Sequence, residues 1–211
     1  MTSPSEKKKH IVILGSGFGG ITTALRLERK LRKARLLEHC RITLIDRNRY
    51  HTYTPALYEI ASIPKDEFSA VPLRTTHCIS IEDIVRSRSI TFLQDAIIRV
   101  DPKERTVHLS ECGEISFDWL VAALGAEVNY FNIPGLAAHA LALKHFKDGI
   151  KIRNTVERVV RAQRSIAIVI GGGGATGVEV AAEFSNFLCA LQEEVYGKRH
   201  DCTVHLTLIE A

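Results

Sequence analysis

A chain of 211 residues, 45% hydrophobic and 25% charged, has ordinary globular composition and length enough for one or two domains with a buried core. Its formal net charge of +4 is small and spread along the chain, which argues against nucleic acid as a partner. The single basic cluster, Lys7-Lys8-Lys9, lies in a polar leader from Met1 to His10 and reads as a solubilising tail.

The first unit opens with a strand from about His10 to Leu14. A helix then runs from about Gly19 to Leu37, with Ile21, Ala24, Leu25, Leu27 and Leu31 on one face. A second strand, Arg41 to Ile45, ends at Asp46. A short helical stretch from Pro55 to about Ser62 and a loop through Pro64 and Pro72 follow. Strand-like segments recur at Ile90 to Leu93, Ala96 to Val100, Thr106 to Leu109, Glu114 to Phe117 and Trp119 to Leu124, with turn signals at Asp101-Pro102 and Glu111-Cys112-Gly113. A helix from about Lys144 to Arg164 leads to a second unit. That unit holds a strand (Ile166 to Ile170), a helix (Ala175 to about Tyr196), a polar loop (Gly197 to Asp201) and a strand (Thr203 to Ile209) ending at Glu210. The pattern is α/β, with the same βαβ opening used twice.

Each βαβ opening carries a glycine fingerprint. Gly15-Ser16-Gly17-Phe18-Gly19-Gly20 follows Ile11 to Leu14, and Gly172-Gly173-Gly174-Ala175-Thr176-Gly177 follows Ile166 to Ile170. One G-x-G-x-x-G is a weak signal; two, each between a strand and a helix and each followed by a strand ending in an acid, are specific. The first glycine permits a tight turn, the second lets a pyrophosphate approach the backbone, and the third allows close helix packing. The helix then presents free N–H groups and its positive end to the phosphates, worth about 0.3–2 kcal/mol. Asp46 and Glu210 are placed to accept from ribose hydroxyls, and a carboxylate at Glu210 repels a 2′-phosphate, which favours NADH over NADPH. Glu210 lies further from its glycines than the usual ~20 residues, an excess that a longer helix and the polar loop absorb. Glu179 faces either the nicotinamide or simply the start of its helix, where the dipole favours an acid. Two fingerprints imply two nucleotide cofactors, or one cofactor and one dinucleotide substrate, brought together for electron transfer.

The leader is too polar for a signal peptide, and the longest apolar stretch, Ile166 to Val180, is broken by four consecutive glycines and then Glu179, so no membrane span is expected. The five cysteines are odd in number, widely spaced and without a C-x-x-C pair, which points to a reducing, cytoplasmic setting. No metal site is expected; His200, Cys202 and His205 are accounted for by strand alternation.

These motifs resemble the two-dinucleotide-binding superfamily of FAD/NAD-dependent oxidoreductases, with its Rossmann-like three-layer fold, and within it type II NADH:quinone dehydrogenase. The resemblance is carried by Ile45-Asp46-Arg47-Asn48-Arg49-Tyr50-His51 with Pro55-Ala56-Leu57-Tyr58, and by Asp118 to Gly125 followed by Ile133-Pro134-Gly135. The helix around Ala142 to Val156 and the run Thr176 to Glu183 also match. It implies FAD on a domain at residues 1–143 and NADH on an inserted domain beginning at 144–211. It further implies an adenine contact by the backbone at Ile97, a flavin-side segment at Leu124 and Gly125 (with Leu124 where threonine is usual), Arg47 beside Asp46, and Glu179 as the acid near the nicotinamide. The Tyr50-His51 and Pro55 to Tyr58 region would lie beside the flavin. The electron acceptor would be a quinone.

Members of that family are about twice as long, so the chain is expected to be an N-terminal fragment whose second unit is incomplete. The membrane-docking part would lie in the missing half, and the chain alone is expected to be unstable and prone to self-association. Two alternatives stay open at this point: a catalytically silent nucleotide-binding remnant, or another superfamily member such as a ferredoxin-type NADH reductase. Disulfide reductases are disfavoured by the absence of paired cysteines.

Overall fold

The computed structural model describes residues 8–64, 77–163, 165–197 and 203–210. In chain order the elements are β1 (Lys9–Leu14), α1 (Phe18–Lys33), β2 (Cys40–Asp46), β3 (Tyr50–Thr52), α2 (Leu57–Ser62), β4 (Cys78–Ser80), α3 (Ile81–Val85) and β5 (Ile90–Gln94). Then come β6 (Ile97–Asp101), β7 (Thr106–Leu109), β8 (Glu114–Ser116), β9 (Trp119–Ala122), α4 (Leu136–His139), α5 (Phe146–Ala162), β10 (Ser165–Gly171), α6 (Ala175–Tyr196) and β11 (Thr203–Ile209). The chain divides into two compact units, Met1–His51 with Ile79–Ala126, and Thr52–Cys78 with Glu127–Ala211.

The first unit is built on a four-stranded sheet in the order β5-β2-β1-β9. Every pairing is parallel, with Ile13 opposite Leu44 and Val121. Such a sheet must be covered on both faces, and β1 is buried from His10 to Leu14. On one face Ile11, Ile13, Ile42 and Leu44 pack with Ala24 of α1 and with Ile81 and Val85 of α3. On the other, Val12, Leu14 and Ile45 pack with Val107 and Leu109 of the antiparallel sheet β6-β7-β8. Helix, parallel sheet and antiparallel sheet make three layers.

Helix α1 stops at Lys33, short of the expected Leu37, and a separate 3-10 turn covers Leu37–His39. The cause is local. Arg35 takes the left-handed conformation (φ 57°) and the Leu36 N–H donates to Leu31 O at 2.9 Å, which closes the helix end as a glycine usually does. Helix α5 begins at Phe146 because Asp148 accepts from the N–H groups of His145 (2.7 Å) and Lys144 (3.0 Å), satisfying donors that a helix start leaves unpaired.

In the second unit β10 and β11 pair in parallel, Ile166 with Val204 through Gly171 with Ile209. One face of the pair, through Ile166 and Ile168, packs with Val156 and Val160 of α5, Phe184, Phe187, Leu188 and Leu191 of α6, and Ala61 of α2. The contact between α2 and α5 is close: a Cβ on Gly149 would lie 2.9 Å from Ile60 Cγ2. On the other face Val169 and Ile209 are more than half exposed, at 62% and 54%. The loop through Pro72 and nearly all of the polar loop from Gly197 to Asp201 lie outside the described residues. Among the described residues no helix is long and apolar enough to cross a membrane.

Candidate functional site

The chain leaves β1 through Gly15, whose φ of 93° is costly for any other residue. A Cβ there would also lie 2.4 Å from Ala123 O. The turn is tied to both neighbouring strands, Gly15 N–H donating to Ile45 O at 2.7 Å and Ala123 N–H to Leu14 O at 2.8 Å. Gly17 is the N-cap of α1, in extended conformation, and a Cβ on it would meet nothing within 4 Å. A Cβ on Gly20 would lie 1.7 Å from Gly15 O. The third glycine is thus required by the turn's own carbonyl, more directly than by helix-on-strand packing. Gly19 has only ordinary contact, its Cβ position 3.8 Å from Ala123 Cβ.

Asp46, at the end of β2, reaches this turn. Its Oδ2 accepts from the N–H and the Oγ–H of Ser16, each at 2.7 Å. Its Oδ1 accepts from the backbone N–H (2.7 Å) and the side-chain amide (3.1 Å) of Asn48. Buried His51 places Nδ1 3.1 Å from Ser16 O and meets the Phe18 ring edge-on, centroids 4.7 Å apart. Arg47 is exposed beside Asp46. After β9, Leu124 is 63% exposed and Gly125 has φ 78°. The Leu124 Cα lies 3.1 Å from the Cβ position of Gly15, which puts this segment against the glycine turn.

Ile97 begins β6, where the ladder with β7 is irregular between Ile97 and Arg99. Just before it stands a carboxylate that reading the sequence missed. Asp95 is buried and accepts from Ser110 Oγ (2.5 Å), Ala96 N–H (2.7 Å), Cys112 N–H (2.8 Å) and Glu111 N–H (3.2 Å). The Ser110 hydroxyl, followed by the N–H groups of Cys112 and Glu111, holds its carboxyl far below the usual range although burial pushes the other way. Asp95 N–H donates to Asp46 O at 3.0 Å, so this knot anchors the end of β2. Its only sequence signal was an acid between two strand-like segments.

The second turn repeats the first. Gly172 has φ 106° and donates its N–H to Ile209 O at 2.8 Å. Gly174 is the extended N-cap of α6, with nothing within 4 Å of a Cβ. A Cβ on Gly177 would lie 1.8 Å from Gly172 O. Glu210 accepts from Gly173 N–H, as Asp46 does from Ser16. The acid sits 37 residues from Gly173, against 30 between Ser16 and Asp46, and α6 is longer than α1 by 22 residues to 16. Thr176 is exposed in the first turn of α6. Glu179 is half-buried one turn in, beyond the acid-favouring first turn. Burial, then the carboxylates of Glu59, Glu179 and Glu183, push the Tyr58 phenol above its ordinary value.

A concavity of about 710 Å³ lies instead at the amino ends of β1, β2 and β5, among Lys8, Arg32, Arg35 and Arg41, away from the glycine turns. Among the described residues no His, Cys, Asp and Glu are grouped to hold a metal ion. Among the described residues Cys40, Cys112 and Cys189 are free thiols.

A parallel sheet with a glycine turn at the carboxyl end of one strand and an acid at the end of the next defines a dinucleotide-binding Rossmann-like protein of the FAD/NAD(P) type. Residues 9–211 match the family model described as pyridine nucleotide-disulphide oxidoreductase, and the chain belongs to that family. It is 28% identical to the type II NADH:quinone oxidoreductase of Haemophilus influenzae, across 96% of this chain and 51% of that protein. It is 29% identical to the mitochondrial external alternative NAD(P)H-ubiquinone oxidoreductase B1 of Solanum tuberosum, across 99% of this chain and 37% of that one. Among solved structures it superposes on NDH2 from Plasmodium falciparum in complex with NADH with a TM-score of 0.74 and 26% identity, covering 91% of this chain and 40% of that one. The chain spans about half the length, or less, of the curated relatives it matches.

Proposed function

We propose that this chain is the dinucleotide-binding part of an FAD-dependent NADH:quinone oxidoreductase. The observation that carries the reading is the repeated turn. Two glycine triplets share one geometry, each with open space at its middle glycine and a strand-end carboxylate on the turn. Residues 1–143 are assigned to FAD and 144–211 to the beginning of the NADH domain.

In this reading the Gly15 to Gly20 turn holds the pyrophosphate of FAD through the Gly17 N–H and the start of α1, since the N–H groups of Gly15 and Ser16 are held by Ile45 and Asp46. Asp46 takes the ribose with Arg47 beside it, the Ile97 backbone takes the adenine, and Leu124 and Gly125 border the flavin. Bound FAD supplies the acceptor for a hydride and the relay of electrons to a quinone. The turn of Gly172, Gly174, Thr176 and Gly177 holds the NADH phosphates, and Glu210 accepts from the adenosine ribose and repels a 2′-phosphate. Glu179 is assigned to the nicotinamide side. A carboxylate there orients the carboxamide by accepting from its NH2 group.

The odd number and wide spacing of the five cysteines, with no C-x-x-C pair, support a reducing cytoplasmic location. The exposed apolar face of β10 and β11 supports self-association, which light scattering on the 211-residue chain tests. The function is tested by adding FAD to the purified chain, removing excess, and following anaerobic flavin bleaching by NADH and its recovery on adding a quinone. Bleaching with quinone-dependent recovery supports the reading. A chain that retains no FAD refutes the assignment of the first turn.

A further inference from the structure

The Gly15 to Gly20 turn is pinned by two side chains that lie outside it. Asp46 takes the N–H and hydroxyl of Ser16, and His51 takes its carbonyl through Nδ1 at 3.1 Å. A carbonyl only accepts, so Nδ1 carries the proton of the neutral ring. His51 is only 8% exposed, and its ring is wedged edge-on against Phe18. It therefore grips the residue on either side of Gly17.

The peptide joining Ser16 to Gly17 is trans, so its C=O and N–H point in opposite directions. With the carbonyl turned in to a buried imidazole, the Gly17 N–H is turned out. Gly17 is exposed, and a Cβ on it finds open space. An outward N–H at a helix start is a donor for a phosphate oxygen.

We infer that His51 is a positioning residue that aims the Gly17 N–H at the diphosphate of a bound dinucleotide, an inference that rests on the first turn being the FAD site. His51 never touches the phosphate; it acts through the orientation of one peptide plane. Loss of its hydrogen bond frees that plane to rotate, and an aimed donor becomes one that must be ordered on binding.

The test uses the full 211-residue chain, with FAD, ADP and adenosine as probes. His51→Leu removes the donor and keeps apolar bulk, whereas His51→Asn keeps an N–H near the Nδ1 position. The expected result is about a tenfold weaker Kd for FAD and ADP in His51→Leu, the scale of one lost hydrogen bond. Recovery to within about twofold is expected in His51→Asn, with adenosine, which has no phosphate, unchanged in both. Nitrogen NMR of the labelled ring is expected to show protonation at Nδ1. Unaltered FAD affinity in His51→Leu overturns the inference alone, as does a neutral ring protonated at Nε2. Equal losses in both variants that extend to adenosine also overturn it, since they report general damage. A wild-type chain that binds neither FAD nor ADP overturns the reading of the turn, and this inference falls with it.

Discussion

Gly17 and Gly20 make opposite demands on the same turn, and single methyl groups separate them. A Cβ on Gly17 meets no atom within 4 Å, and the residue is extended at φ −70°, ψ −171°, a conformation open to any side chain. Gly17→Ala therefore changes stability by no more than about 0.5 kcal/mol, a lost helix-cap preference offset by reduced unfolded-state freedom. For a chain this size that is roughly 1–2 °C in Tm. In the proposed assignment the same methyl stands where a pyrophosphate must approach the backbone. Overpacking of ~1–3 kcal/mol corresponds to FAD binding weaker by roughly ten- to a hundredfold. At Gly20 the Cβ would lie 1.7 Å from Gly15 O, so the turn or the helix must move bodily. Gly20→Ala is expected to lose about 1–3 kcal/mol of stability and roughly 3–10 °C in Tm. Differential scanning fluorimetry without ligand and flavin fluorescence titration separate the two effects. A Gly17→Ala chain that binds FAD like wild type would refute the placement of the pyrophosphate, and a Gly20→Ala chain that melts like wild type would refute the turn geometry.

The second turn should respond in the same way, Gly174→Ala weakening NADH binding with little change in Tm and Gly177→Ala lowering Tm; calorimetric titration and melting decide it, and the reverse order would sink the comparison. In a longer protein that completes the second unit, NADH should bleach the flavin at lower concentration than NADPH, and Glu210→Ala should narrow that gap by roughly tenfold, about 1.4 kcal/mol; equal use of both before the substitution would show that Glu210 does not face the ribose. Asp95 adds a pH dependence. Its folded carboxyl is held below its ordinary 3.8, so its contribution is complete above that range and is lost as pH falls through and below it. Asp95→Asn should therefore unfold at lower urea than wild type at pH 7, with the difference shrinking below pH 4; a gap independent of pH would assign the loss to packing instead of charge.

Both glycine turns were legible because their constraint is local. Three glycines at fixed spacing between an apolar strand and a helix leave few backbone solutions, and the α6 and β11 boundaries fall where the pattern places them. The end of α1 was not legible. It is set by Arg35 adopting a left-handed φ that residue type alone does not announce. Strands β3 and β4, three residues each, and the five-residue α3 are too short to show a period. Asp95 escaped notice because the Ser110, Glu111 and Cys112 groups that hold it arrive from another hairpin. The grip of His51 on Ser16 spans 35 residues and likewise leaves no local trace. What the sequence pattern makes visible is the turn; what it hides is the scaffolding that keeps the turn still.

Asp46 meets any ligand with its valences already spoken for. Each of its oxygens holds two protein donors, close to all that a carboxylate can accept. Under the proposed assignment a ribose would enter this site by substitution, and the displaceable partners are the Ser16 hydroxyl and the Asn48 amide, since the two backbone N–H groups are fixed by the turn and the strand end. The ribose contact is then a trade between bonds of similar strength, with a small net gain. Affinity at this position would then have to come from the diphosphate and the adenine, while the acid's larger contribution is to have the turn standing before the ligand arrives.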